Sequence, residues 1–311
     1  YSIPVPGKIL TVYKIKMDYL FKIYKKLKNL KNRANLKIPE LPGIDPEGKK
    51  RIMILGLAPL PFENARQNTA CGQRTWQFTK PLLSRGYSVL LICRIIPYAY
   101  DCPPPYRIIK KSPDLTICYL KEGLFNPGNL RKFYRRFKPQ ALVNVNVSPA
   151  AAGSLIDKKV PVWSDLNGHY MTEAQAKCFN SLNDKFLPRF WEEEKTVLDN
   201  SDKFSAVSNA QGHATIGELG ARGRLNSKTC GYEFVHTVRN GVDISKEDLP
   251  PLDKKVKEPL ILWSGAYNNW ADVKTLFTGI SKAMEINEDI RFISTGGSVP
   301  GHDDNTYWKM I

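Results

Sequence analysis

Short apolar runs separated by stretches of helical spacing set the strongest limit on what this chain can fold into. The first, Arg51-Ile-Met-Ile-Leu-Gly56, is apolar at successive rather than alternate positions. That pattern belongs to a strand buried on both faces of a parallel sheet. Ser88 to Cys93, Leu115 to Tyr119, Ala141 to Val147, Val160 to Ser164 and Phe204 to Val207 repeat it. Between them the spacing predicts helices over Gly72 to Arg85 (with Gly86 at the C′ position), Pro149 to Asp157, Asp184 to Leu198, and onward from Asn209. Strand, helix, strand in repetition predicts a doubly wound α/β sheet. A second unit opens after Leu249-Pro-Pro251, with a strand at Leu260 to Ser264, a helix at Asp272 to Met284 and a strand at Ile290 to Ser294. The sequence given ends at Ile311, short of the roughly 100 residues such a domain needs, so the second unit reads as incomplete.

Composition narrows the class. The 311 residues carry 46 Lys+Arg against 30 Asp+Glu, a net charge of +16, and 42% are hydrophobic. That is enough to bury large cores, which excludes intrinsic disorder. No apolar run approaches the roughly 20 residues of a membrane span, and the Lys-studded N-terminal stretch does not read as a secretory signal. The six cysteines form no CxxC pair and the four histidines no HxxxH pair, which argues for reduced, structural thiols and against a structural metal.

The charge is uneven: up to Arg51 there are 13 basic and 4 acidic residues. Ile9, Tyr13, Met17, Leu20, Tyr24 and Leu27 fall at helical steps, with Lys14, Lys22, Lys25, Lys26, Lys28 and Lys31 around them. Residues 1–49 thus read as a basic amphipathic helix (Ile9 to Arg33) and a Pro/Gly linker. Such a helix packs on its own domain or lies on an anionic lipid surface; nucleic acid is disfavoured, as no RNP or zinc-finger signature follows. The expected location is cytoplasmic, peripheral on the inner membrane face.

In open parallel sheets ligands bind beyond the carboxyl ends of the strands, so the loops there supply the candidate site. Gly72-Gln73-Arg74 opens a helix whose backbone amides and Arg74 suit an anion. The dinucleotide fingerprint GxGxxG is missing, which disfavours a dehydrogenase. Asp165 and His169, in Ser164-Asp165-Leu166-Asn167-Gly168-His169, are the candidate catalytic pair, as proton acceptor and polarising group. Tyr267, Asn268 and Trp270 after Gly265 offer flat and polar contacts to a base or sugar, and Gly296-Gly297 leave room for a phosphate or sugar to reach backbone. Each of these loops equally suits ordinary capping and turn chemistry.

Taken together, the motifs resemble the GT-B-fold glycosyltransferases of the large family-four, retaining type. The likeness runs from about Arg51 to Tyr307 and rests on the first strand, loop and helix ending Leu83-Ser-Arg-Gly86, on Val207-Ser208, on Arg239-Asn240-Gly241-Val242-Asp243, and on Trp263-Ser-Gly265. It implies two doubly wound Rossmann-like domains, residues 50–249 for the acceptor and 250–311 beginning a nucleotide-sugar domain. The donor substrate would be a nucleotide diphosphate sugar, with no further cofactor and no metal, and the acceptor a glycan or lipid-linked hydroxyl. It would place Gly72 and Arg74 near donor phosphates or acceptor, His169 near the transferred sugar, and Asn240, Gly265, Gly296 and Gly297 with the donor. Ala266 and Ala271 stand where such enzymes commonly have an Arg and a Lys for the diphosphate. Arg74, Arg239 or Lys274 would compensate, or Tyr267, Asn268 and Trp270 would serve instead. The family's paired-glutamate motif would lie beyond Ile311. The alternatives are a nucleotide-sugar epimerase of the same architecture and a non-catalytic membrane-surface or nucleic-acid-binding module.

Overall fold

The computed structural model describes residues 48–157, 159–241, 258–268 and 271–297. The predicted helix over Ile9 to Arg33, the linker residues Val242 and Asp243, Trp270, and the Asp303-Asp304 pair lie outside the described residues. The chain divides into two compact units, Tyr1–Met171 with Leu187–Asn240, and Thr172–Phe186 with Gly241–Ile311.

The first unit is built on one sheet of eight strands: β1 (Arg51–Ala58), β2 (Ser88–Ile95), β3 (Tyr106–Ser112), β4 (Leu115–Leu120), β5 (Ala141–Val145), β6 (Val162–Asp165), β7 (Lys203–Ala206) and β8 (Val235–Thr237). Their order is β3-β4-β2-β1-β5-β6-β7-β8. All neighbours are parallel except the edge strand β3, which runs antiparallel to β4. Helices α1 (Ala70–Ser84), α2 (Pro127–Phe137), α3 (Val147–Gly153), α5 (Leu187–Asn200) and α6 (Asn209–Ala221) flank it, and α4 (Tyr170–Ser181) falls almost wholly in the second unit.

The unbroken apolar run of β1 has a direct cause. Met53 and Leu55 join a core with Leu130, Phe133 and Phe137 of α2, while Ile52 and Ile54 join another with Trp76, Leu82 and Leu83 of α1. Successive side chains of a strand point to opposite faces, and here both faces are covered. Each Leu or Ile so buried contributes roughly 1.5–3 kcal/mol.

Element boundaries differ from expectation where caps intervene. Helix α1 starts before Gly72 because the Thr69 hydroxyl accepts the Gly72 N–H at 3.1 Å. Helix α3 begins ahead of Pro149, which sits in the first turn, where its missing N–H costs no helical bond. Pro188 sits the same way at the start of α5. Among the described residues no helix is long and apolar enough to cross a membrane.

In the second unit, β9 (Leu260–Trp263) pairs in parallel with β10 (Arg291–Ser294), with α7 (Val273–Ile286) between them in sequence. Asp272 caps α7, accepting the Thr275 N–H at 3.0 Å and its hydroxyl at 2.7 Å. Those bonds hold its carboxyl below the ordinary aspartate range.

Candidate functional site

Strand β1 lies between β2 and β5, so the winding of the sheet reverses at the β1/β5 boundary. The crevice beyond the carboxyl ends of those strands is where such sheets bind ligands. The chain leaves β5 through Asn146, whose φ of 70° and ψ of 146° lie in a region that glycine alone adopts easily. Asn146 is 8% exposed. Its Oδ1 accepts from Asn167 Nδ2 at 2.8 Å, and Asn167, just past β6, also has a left-handed backbone (φ 55°). Asn146 Nδ2 and the Ser148 hydroxyl are buried with no hydrogen-bond partner among the described residues. Buried polar groups are normally satisfied, and non-glycine residues in such backbone regions cluster at functional sites. Sequence reasoning missed all three residues. The available signal was an asparagine directly after a strand, the residue type that most readily takes a positive φ.

Asp165, the last residue of β6, is fully buried. Its two oxygens accept from Arg74 Nη2 at 2.7 Å and Nε at 3.1 Å, and Ser205 of β7 donates to it at 2.7 Å. Arg74, from the first turns of α1, is 2% exposed and also donates to the carbonyls of Val238 (2.6 Å) and Arg239 (2.9 Å), just beyond β8. One ion pair therefore ties together α1 and the ends of β6, β7 and β8. Burial pushes the Asp165 carboxyl above the ordinary aspartate range, against the pull of Arg74 and Ser205. Arg74 and Asp165, expected to face a ligand as anion holder and proton acceptor, face each other.

His169, four residues on, is about one-third exposed, and its Nε2 lies 3.0 Å from Glu218 Oε1 of α6. Burial raises the Glu218 carboxyl, and His169 draws it part of the way back. Gly72 has a packing duty: a Cβ there would lie 1.7 Å from the Pro59 carbonyl oxygen, so only glycine lets α1 pass the loop after β1. Its N–H is taken by Thr69 rather than offered to an anion. Asn240 is exposed a few residues past β8.

The second unit brings Gly265, Tyr267, Asn268, Gly296 and Gly297 together at the carboxyl ends of β9 and β10. A Cβ on Gly296 would meet the Gly265 carbonyl oxygen at 1.4 Å, and the Tyr267 N–H donates to the Gly297 carbonyl at 3.1 Å. Tyr267 is not the open flat surface expected. Its ring is 2% exposed, lies parallel to Trp263 with centroids 5.7 Å apart, and its hydroxyl bonds Ser294 Oγ at 2.6 Å. Gly297 is exposed. Among the described residues, no three His, Cys, Asp or Glu side chains converge as metal ligands do.

Sequence comparison finds no matching family model and no significant match among curated proteins. Solved structures do match. Sucrose-phosphate synthase from Thermosynechococcus elongatus superposes with a TM-score of 0.53 at 13% identity, over 81% of this chain and 71% of that one. Anabaena HepE, in complex with UDP and glucose, gives 0.50 at 11% identity, over 84% of this chain and 64% of that one. The chain thus spans about two-thirds of the length of each. At such identities the likeness is one of fold, and the fold is that of the GT-B glycosyltransferases.

Proposed function

We propose that this chain transfers a sugar from a nucleoside diphosphate sugar to a hydroxyl acceptor, with retention of configuration and without a metal ion. The observation that carries the reading is the pair of unspent buried groups, Asn146 Nδ2 and Ser148 Oγ, at the reversal point of the sheet. An amide donor and a hydroxyl suit an acceptor oxygen, and His169, in the same loop as Asn167, supplies a polarising group beside it. Asp165 acts through Arg74 and Ser205 as a positioning residue that fixes the strand end from which this loop departs. In the second unit, the loops bearing Gly265, Asn268 and Gly297 present backbone to the donor. The leaving diphosphate is stabilised by backbone N–H groups and cations. Two fold relatives support the donor class: one is named a sucrose-phosphate synthase and the other was captured with UDP and glucose.

Calorimetry against UDP-, GDP- and ADP-sugars, paired with a transfer assay, tests the proposal. Binding of one donor is expected, and Asn146→Ala should cut turnover about tenfold or more, the loss of one charge-free hydrogen bond in the transition state being worth that much. No heat with any donor from folded protein would sink the reading. The basic stretch of residues 9–33 places the enzyme on anionic lipid at the cytoplasmic membrane face, where a lipid-linked acceptor is within reach. Co-sedimentation with anionic vesicles that persists unchanged after removal of residues 1–39, or that is insensitive to salt, would overturn that placement.

A further inference from the structure

A cavity of about 200 Å³ opens at the carboxyl ends of β2 and β4, on the far side of β1 from Asn146. We propose that it is a binding subsite for one neutral sugar ring, the distal residue of an elongated acceptor; this deepens the glycosyl-transfer reading and rests on it.

Size comes first. The volume equals that of roughly seven waters and falls below the roughly 300 Å³ at which drug-sized ligands begin. That room suits a single ring better than a nucleotide. The walls are flat and apolar: Ile95, Pro103, Pro104 and the rings of Tyr100 and Tyr119. Two charged residues also line it, Asp101 and Arg107. Arg107 is fixed in place. It lies 4.6 Å over the Tyr119 ring and donates to Glu63 Oε1 at 3.0 Å, while Glu63 Oε2 accepts from the Tyr100 hydroxyl at 3.1 Å and the Leu60 N–H at 2.6 Å. Burial and the Glu63 charge push both phenols up, so neither ionises and the walls stay neutral.

Charge then selects the ligand. Glu63 already pairs with Arg107, which leaves the guanidinium less available to a phosphate or carboxylate, and Asp101 beside it disfavours either. What remains favourable is a neutral ring that donates to a carboxylate, accepts from a guanidinium and lays C–H faces on proline and tyrosine. Such charge-assisted bonds are about twice as strong as neutral ones. Vicinal hydroxyls on a pyranose meet all three requirements; an aromatic acid lacks the donors for Asp101.

Position completes the argument. In the strand order β4-β2-β1-β5-β6, the cavity and the Asn146–Asn167 pair sit on the same edge, three strand spacings apart, or about 15 Å. The loop after β1 runs between them and supplies Glu63, which holds the cavity's guanidinium. An acceptor that reacts at Asn146 therefore has a natural resting place for its far end.

Cys102 lines the cavity as an exposed free thiol, and Cys230, also exposed and free, lies elsewhere in the chain. Peptide-resolved alkylation by iodoacetamide thus has a reporter and an internal reference in one molecule. The probes are the methyl glycosides of glucose, galactose and mannose, and N-acetylglucosamine, with acyclic sorbitol as control. At least one ring should slow Cys102 relative to Cys230 by about threefold once it exceeds twice its Kd. Sorbitol should not, and Arg107→Leu and Asp101→Asn should each abolish the protection. Saturation-transfer NMR with the same glycosides on wild type and Arg107→Leu gives a second readout independent of thiol reactivity. Equal Cys102 rates with every sugar and no NMR transfer would overturn the subsite, as would protection by sorbitol or protection that survives both substitutions. Because no donor is present, the outcome separates from the transfer assay. Protection without transfer in any donor overturns the enzyme reading alone, and transfer without protection overturns the subsite alone.

Discussion

Two polar clusters are buried at the same edge of the same sheet, and they treat their hydrogen bonds in opposite ways. In the Arg74–Asp165–Ser205 cluster both carboxylate oxygens are taken, and the guanidinium spreads over one carboxylate and two carbonyls. In the Asn146–Asn167–Ser148 cluster two polar atoms stay unsatisfied, and both asparagines have positive φ. A buried charge is tolerable only when paired, so completeness in the first cluster is what holding strand ends together demands. Strain and unmet hydrogen-bonding groups cost the fold free energy, and a bound ligand or water would offset that cost in the second cluster. The first has the bonding that holding requires, and the second is the one to which we assign binding.

The largest effect should come from breaking the holding cluster. Asp165→Ala leaves Arg74 buried and uncompensated, and a loss of about 3–5 kcal/mol in urea unfolding is expected. Replacing both partners, Arg74→Met with Asp165→Leu, should recover most of it. If Asp165→Ala unfolds like wild type and loses only turnover, the division of labour between the clusters is reversed. Next comes Gly72→Ala, whose new Cβ would drive into the Pro59 carbonyl oxygen. A cost of about 1–3 kcal/mol is expected from that overpacking, read from the same denaturation curves.

The binding cluster should respond with the opposite sign. Asn146→Gly relieves a backbone that costs about 1–3 kcal/mol and removes the amide, so the protein should become more stable while turnover falls. Ser148→Ala deletes a buried unsatisfied hydroxyl, and its stability should hold or rise slightly. A drop in stability from either would mean that their partners are internal, and would move this cluster into the holding class.

How much of this was legible in the sequence follows from the same physics. Strands β1, β2 and β5 announce themselves because both faces are buried and nearly all of their positions are apolar. Strand β3, Tyr-Arg-Ile-Ile-Lys-Lys-Ser, does not, because an exposed edge strand is held chiefly by backbone bonds to β4. Helix α2 could have been read: Asn126 caps it, Pro127 opens it, and Leu130, Phe133 and Phe137 follow at helical steps. Arg74 and Asp165 both stand out in the sequence, yet 91 residues separate them, and no spacing rule reports that they pair. Asn146 and Asn167 matter through backbone angles and one amide contact, which residue type only weakly encodes.

A small stability effect, and the sharpest test of the comparison, belongs to His169, which follows Asn167 by two residues and lies 3.0 Å from Glu218. Its partner Glu218 is 27% exposed and His169 36%, so solvent screens the pair and His169→Asn should cost only about 0–1 kcal/mol. The substitution removes the one influence that draws the Glu218 carboxyl down, so that carboxyl should titrate higher in the variant, read by carbon NMR. A carboxyl raised in the folded state favours folding below the ordinary glutamate range and loses that advantage as pH rises through its own folded value. The variant should therefore fall further below wild type as the pH climbs from about 4. Turnover decides the rest. If His169 polarises an acceptor oxygen, His169→Asn loses about 100-fold or more in kcat, the usual worth of a general acid or base. If kcat is unchanged while Glu218 shifts as expected, His169 is a counter-ion, and catalysis at this edge falls to the two strained asparagines.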